Sequence, residues 1–280
     1  MTRKHFVTTE WLADHLTSPD VVVVDGSWYL EVTGRNGYRE YLEEHIPGAV
    51  YFDIDAVADP NSTLPHMLPD TTVFASKMRK LGIGDGQRIV VYDGDGLVSS
   101  PRVWWTFRLM GVEDVVILEG GLAKWDDEQR PLEAGAVERR ERHFTARFDH
   151  SGVRDLADVE KALASGGAQV VDNRPAGRFT GRDPEPREGI APGHMAGAIS
   201  LPGADLLTPR GYLKDDEALR ETIAAAGIDL GKPIITSCGS GVTASIMNFA
   251  LEVLGHHDHA LYDGSWTEWV RAGKPIETGA

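Results

Sequence analysis

Apolar residues along this chain gather in short, nearly continuous runs rather than in strict alternation. VVVV at 21–24, IVV at 89–91, VVIL at 115–118, VV at 170–171 and IIT at 234–236 are each followed within two positions by Asp, Gly or Ser. Runs this short and this rich in β-branched residues fit strands buried on both faces, the pattern of a parallel sheet. Between them lie segments with helical spacing, such as Val242, Ile246, Phe249, Ala250 and Val253, which fall on one face of a helix ending near Gly255. Strands alternating with crossover helices predict an α/β fold.

The order of the runs repeats. VVVVDGSW (21–28), HIPGAVYFDID (45–55), RIVVYDGDG (88–96) and VVILEGGLAKW (115–125) are followed by AQVVDNR (168–174), HMAGAISLPGAD (194–205), PIITSCGSG (233–241) and ALYDGSWTEW (260–269). The pairs Asp25/Asp172, His45/His194, Gly94/Gly239 and Trp125/Trp269 are offset by 147, 149, 145 and 144 residues. So constant a spacing predicts two copies of one domain, 1–140 and 152–280. The charged stretch from Ala136 to Ser151 reads as an exposed linker, with 141–151 joining the two domains. Two Pro-containing segments, 59–70 and 178–193, read as long loops, which in compact domains are often functional.

Composition narrows the function. With 28 Lys and Arg against 43 Asp and Glu, the 280-residue chain carries −15 at pH 7, which disfavours nucleic acid and anionic membranes as partners. An anionic small substrate therefore needs a local basic cluster. No apolar run is long enough to span a bilayer, and the opening residues lack a secretory signal, so a soluble cytoplasmic protein is expected. The single Cys rules out an intrachain disulfide and a Cys-cluster metal site. His256, His257, Asp258 and His259 are too closely adjacent to converge on a metal, and neither metal nor cofactor is expected. The Trp residues read as packing groups, and His45 and His194 as structural residues shared by the repeats.

Cys238 stands between a strand and a helix, followed by Gly239-Ser240-Gly241. Glycines let such a turn curl with its N–H groups inward, and those amides, with the positive end of the helix, favour a thiolate nucleophile. The first-half counterpart is Asp93, so that copy has no nucleophile.

The loop CGSGVTA at 238–244 resembles the active-site loop of the mercaptopyruvate branch of the two-domain rhodanese family. HIPGA, SPRVWW and the GRF and EPR segments extend the likeness over nearly the whole chain. The resemblance implies two tandem rhodanese-like domains, each a parallel sheet flanked by helices. It implies transfer of sulfur from 3-mercaptopyruvate onto Cys238 as a persulfide with release of pyruvate, then delivery to thioredoxin, another thiol or cyanide. Arg178 and Arg187 resemble the pair that clamps the donor's carboxylate and carbonyl, a task that suits the planar guanidinium fork. Gly239, Gly241, Val242 and Thr243 are implied to line the donor site. Asp55, His66 and Ser240 resemble the acid, imidazole and hydroxyl that accompany the Cys. Small residues after Cys238 favour mercaptopyruvate over thiosulfate as donor.

Three other activities compete. A thiosulfate sulfurtransferase would use the same Cys, a non-catalytic persulfide carrier would need neither Arg178 nor Arg187, and a Cys-dependent phosphatase would need Arg where Ala244 stands.

Overall fold

The structure, a computed structural model, describes residues 4–279. The chain divides into two compact units: the first holds residues up to Asn61, Leu68–Asp149 and Pro209–Tyr212, the second Ser62–Met67, His150–Thr208 and everything from Leu213 onward. Half of the segment 59–70 read as a first-half loop, Ser62–Met67, is thus built into the second unit.

In chain order the first unit contains β1 (Phe6–Val7), α1 (Thr9–His15), β2 (Val21–Asp25), α2 (Gly37–Glu43), β3 (Val50–Tyr51), α3 (Ile54–Val57), α4 (Thr71–Lys80), β4 (Arg88–Tyr92), α5 (Ser100–Leu109), β5 (Val115–Leu118) and α6 (Gly121–Asp127). The second contains β6 (Val153–Arg154), α7 (Leu156–Ser165), β7 (Gln169–Asp172), α8 (Ala176–Phe179), β8 (Ile199–Ser200), α9 (Asp216–Ala225), β9 (Ile234–Ser237), α10 (Ala244–Val253), β10 (His259–Tyr262) and α11 (Ser265–Arg271). The sheets run β1-β5-β4-β2-β3 and β6-β10-β9-β7-β8, and all their pairings are parallel. Strand by strand the two orders coincide, so the duplication read from spacing is a duplication of topology.

The β-branched runs sit in the middle of each sheet. Val22, Val24, Ile89, Val91 and Ile117 are buried in the first unit, Val171, Ile234 and Ile235 in the second. Helices cover both faces, as near-continuous apolar strands require. Most helices begin at a side-chain cap: Thr8, Asn36, Asp53, Asp70, Asp155 and Asp215 each accept a backbone N–H of the first turn. α10 departs from the amphipathic reading, because every residue from 244 to 251 is buried. Its polar members survive there by internal pairing: Asn248 donates to Thr236 Oγ1, and the Ser245 hydroxyl donates to the Val242 carbonyl. Among the described residues no helix is long and apolar enough to cross a membrane.

The stretch read as a linker is mostly exposed, yet it is fastened to the first unit. Phe144 is buried edge-on against Phe74, and Asp85 accepts from the Thr145 amide and hydroxyl at 2.8 Å each. One aromatic among charges makes no period, so nothing in the pattern marked it as an anchor.

The repeats treat one buried carboxylate differently. Asp172 is forked by Arg174, whereas its first-unit counterpart Asp25 has Ser27 in place of that Arg and accepts the Ser27 amide at 2.8 Å. Burial pushes the Asp25 carboxyl up to about 6, against hydrogen bonds from Ser27 and Tyr92 that pull it down. A carboxyl whose folded value lies above its unfolded value of about 3.9 stabilises the fold at low pH and loses that contribution as pH rises through the folded value. Asp25→Asn should therefore gain stability over wild type between pH 4 and pH 8, by about 2 kcal/mol. Thermal melting of both proteins at the two pH values measures this, and a pH-independent difference would show that Asp25 is ionised without penalty.

Candidate active site

β9 delivers Cys238 to a turn that runs into α10. Cys238 is 2% exposed and unpaired. Its amide donates to Ser265 Oγ at 3.2 Å, and its carbonyl accepts the Trp266 amide at 2.9 Å. The next carbonyl, that of Gly239, accepts both the amide (3.1 Å) and the hydroxyl (2.7 Å) of Thr267. The start of α11 thus clamps the outer side of the turn. Ser265 adopts φ of +50°, a left-handed conformation that costs a non-glycine residue about 1 kcal/mol. The first-unit counterpart is Gly121, at φ +56°, where glycine meets the same geometry without cost. The second unit accepts the strain and in return places a hydroxyl between Cys238 and the Tyr262 carbonyl, to which Ser265 Oγ donates at 2.8 Å.

The first unit reveals what the turn can hold. Residues 93–100 (DGDGLVSS) and 238–245 (CGSGVTAS) have equal length. In the former, Asp93 Oδ2 accepts the amides of Val98, Ser99 and Ser100 at 2.9, 2.9 and 2.7 Å, and Oδ1 that of Asp95 at 3.0 Å. A carboxylate thus lies in a ring of peptide N–H groups at the start of α5, an anion-binding nest filled by its own chain. The corresponding position in the second unit is Cys238. There α10 has no side-chain cap, and the amides of Thr243 and Ala244 donate to no protein group among the described residues. The thiol-bearing turn therefore has the frame of an anion site and only a short side chain within it.

Two predicted residues converge on this turn. His66, buried at φ +62°, lies in the 62–67 segment of the second unit, where Arg271 Nη1 donates to the Thr63 carbonyl at 2.7 Å. His66 Nδ1 is 3.0 Å from Ser240 Oγ and 3.3 Å from the Ser240 carbonyl. Arg187 Nη2 donates to the same hydroxyl at 2.9 Å. Because a guanidinium only donates, Ser240 Oγ accepts from Arg187, while the direction of its hydrogen bond with His66 Nδ1 is set by the imidazole tautomer. A Cβ at Gly239 would lie 3.5 Å from Arg187 Nη1, so the arginine stands over both residues that follow Cys238.

The other predicted residues take up separate places. Arg178 sits on α8, half-buried, and its guanidinium forms no hydrogen bond or ion pair among the described residues, while its carbonyl accepts the Gly193 amide at 2.9 Å. Gly241 turns the loop at φ +80°, and the carbonyls of Val242 and Thr243 accept the amides of Ser245 and Ile246, the second and third residues of α10, at 3.2 Å each. Asp55 belongs to the first unit, where it accepts the Trp28 indole N–H at 2.9 Å. His45 and His194 each bind a carbonyl at the end of a neighbouring helix, Tyr41 at 2.7 Å and Phe179 at 2.9 Å, as structural residues do.

Sequence reasoning missed Ser265, Thr267 and the loop-bridging part of Trp266, which had been read as packing alone. A signal existed: aligning the halves sets Ser265 against Gly121 in otherwise similar DGSW and EGGL segments.

Fold and site together define a duplicated parallel α/β protein in which one copy has a thiol, and the other a carboxylate, in the same amide turn. A family model described as the rhodanese-like domain matches residues 8–128 and 155–272. The chain is similar to a 3-mercaptopyruvate sulfurtransferase of Escherichia coli K12, with 44% identity over 279 residues and 99% of each chain covered. Its similarity to a human protein of the same name is 40% over 275 residues, covering 96% of this chain and 93% of that one. The crystal structure of the 3-mercaptopyruvate sulfotransferase SseA from Escherichia coli superposes with a TM-score of 0.87 at 42% identity, covering 94% of this chain and 98% of that one. This chain belongs to the rhodanese family.

If the first-unit turn is an anion nest, Asp93→Ala should cost about 1–2 kcal/mol, the scale of losing a helix cap. Part of the loss should return on adding sodium sulfate, beyond the effect of the same salt on wild type. Equal sulfate responses in the two proteins' melting curves would show that these amides attract no anion.

Proposed function

We propose that this protein is a sulfurtransferase that takes sulfur from 3-mercaptopyruvate onto Cys238 and passes it to a thiol or to cyanide. The observation that carries the reading is the equivalence of Cys238 with Asp93: an amide turn that holds a carboxylate in one copy offers the same N–H groups to a thiolate and its persulfide in the other.

Chemically, the Cys238 thiolate attacks the donor's sulfur and forms the S–S bond while the donor's C–S bond breaks. The electron pair of that bond is left on carbon as an enolate, conjugated with the carbonyl. The proton of the donor thiol ends on that carbon, so thiolate plus mercaptopyruvate becomes persulfide anion plus pyruvate. Ser240 and His66 form a hydroxyl–imidazole relay suited to that proton movement, because imidazole exchanges protons near neutral pH. Arg187 meets the donor carboxylate beside the turn, and Arg178, whose guanidinium is uncommitted, is the second member of the clamp. Gly239 and Gly241 keep the turn small, and Val242 and Thr243 supply its last residues before α10. Asp55 enters this reading only through the family resemblance, as the acidic companion of His66.

The persulfide is then removed by an acceptor thiol, such as the dithiol of a thioredoxin, which leaves as a disulfide with release of hydrogen sulfide. A single free Cys that must return to the thiolate after each cycle suits the reducing cytoplasm.

Incubation with mercaptopyruvate should add one sulfur atom to Cys238, seen by mass spectrometry of the intact protein, with one equivalent of pyruvate released. Cys238→Ser should abolish both, and His66→Ala should lower kcat about a hundredfold, the usual contribution of a positioned proton donor. Normal turnover by Cys238→Ser would overturn the proposal. Faster turnover with thiosulfate than with mercaptopyruvate would reassign the donor.

A further inference from the structure

The loop that carries Arg187 is held by buried charge. Arg174, 1% exposed, donates through Nη1 to Glu185 Oε1 at 2.7 Å, and the Glu185 side chain is 3% exposed. Nη2 of the same guanidinium donates to the Gly193 carbonyl at 2.7 Å, and Nε forks onto Asp172 at the end of β7. Trp266 lies against the guanidinium, with its ring centroid 4.2 Å from the Arg174 Cζ, and donates its indole N–H to the Ala191 carbonyl at 2.8 Å. Loop 180–193 is thus tied at 185, 191 and 193. The same Trp266 gives its backbone N–H to Cys238, so one residue joins the arginine loop to the nucleophile turn.

The first unit lacks this device. Its counterparts to Arg174 and Trp266 are Ser27 and Leu122, and Leu122 retains only the backbone bond, to the Asp93 carbonyl at 3.1 Å. The same fold therefore forms without the ion pair. A buried ion pair is also a costly way to stabilise a fold, since desolvation offsets most of its Coulomb energy, and its better-attested use is to specify geometry.

We infer that Arg174 and Glu185 are positioning residues for substrate recognition, fixing Arg187 over the Cys238 turn. Glu185 is separated from Arg187 only by Pro186, whose ring fixes its own φ and restricts the residue before it, so anchoring Glu185 limits where the Arg187 backbone can lie. The 2.9 Å contact from Arg187 to Ser240 is the product of that anchoring. The inference rests on the reading of Arg187 as a clamp for the donor carboxylate.

A double-mutant cycle separates this from general stabilisation. Steady-state kinetics with mercaptopyruvate are measured for wild type, Glu185→Gln, Arg187→Ala and the double variant. Glu185→Gln should raise KM about tenfold, the scale of one lost charge-assisted contact, with kcat changing less. Its rate of Cys238 alkylation by uncharged iodoacetamide should match wild type. In the Arg187→Ala background the same substitution should raise KM no further. Additive effects on KM, with a large effect of Arg187→Ala alone, would overturn the positioning inference and leave the clamp intact. No effect of Arg187→Ala alone would remove the clamp and the inference with it. If Glu185→Gln does not fold, Trp266→Phe, which keeps a ring beside Arg174 but lacks the N–H that reaches Ala191, goes through the same cycle with the same two outcomes deciding.

Discussion

Peptide N–H groups turned inward at a strand-to-helix junction need an acceptor, and the two halves of this chain meet that need differently. In the first, the Asp93 carboxylate accepts four amides and closes the turn. In the second, Cys238 stands in that register, the helix that follows has no side-chain cap, and the turn is braced from outside by Ser265, Trp266 and Thr267. In the proposed reading, an elementary backbone requirement becomes a site for sulfur chemistry. The rest of the second unit serves it: His66 and Arg187 converge on Ser240, and a buried ion pair holds the loop from which Arg187 reaches.

The strain at Ser265 belongs to the same economy. A left-handed residue at that corner is required by the fold, as Gly121 shows in the other copy, and glycine there would be cheaper. A serine at φ +50° instead gives the Cys238 amide an acceptor at 3.2 Å and so braces the turn from outside. Strain of this kind persists where the surroundings over-determine it, and it concentrates at functional sites.

Much of this was legible in the sequence because it is local or repeated. The short β-branched runs marked the central strands, and the constant offset between halves marked the duplication. The CGSG turn between a buried strand and a helix marked Cys238, and the family resemblance pointed to His66, Ser240 and Arg187, which the structure brings to one hydroxyl. What escaped was non-local. Ser265 lies 27 residues beyond the Cys238 amide that it accepts, and Arg174 meets Glu185 across a loop that, read residue by residue, showed only prolines, glycines and mixed charges. Parallel sheets place the C-terminal ends of distant strands side by side, and no periodicity within a window reports which end meets which. The all-round burial of α10 was hidden for a related reason: Ser245 and Asn248 read as a polar face until their partners are known.

The central claim is that the amide turn makes Cys238 a reactive sulfur rather than a small buried core residue. The most direct test is the second-order rate constant for alkylation of the folded protein by iodoacetamide at pH 7, compared with that of glutathione under the same conditions. The account predicts that Cys238 reacts faster, by about tenfold or more, as expected of a sulfur set among inward amides at a strand-to-helix turn. A rate equal to or below that of glutathione would contradict it.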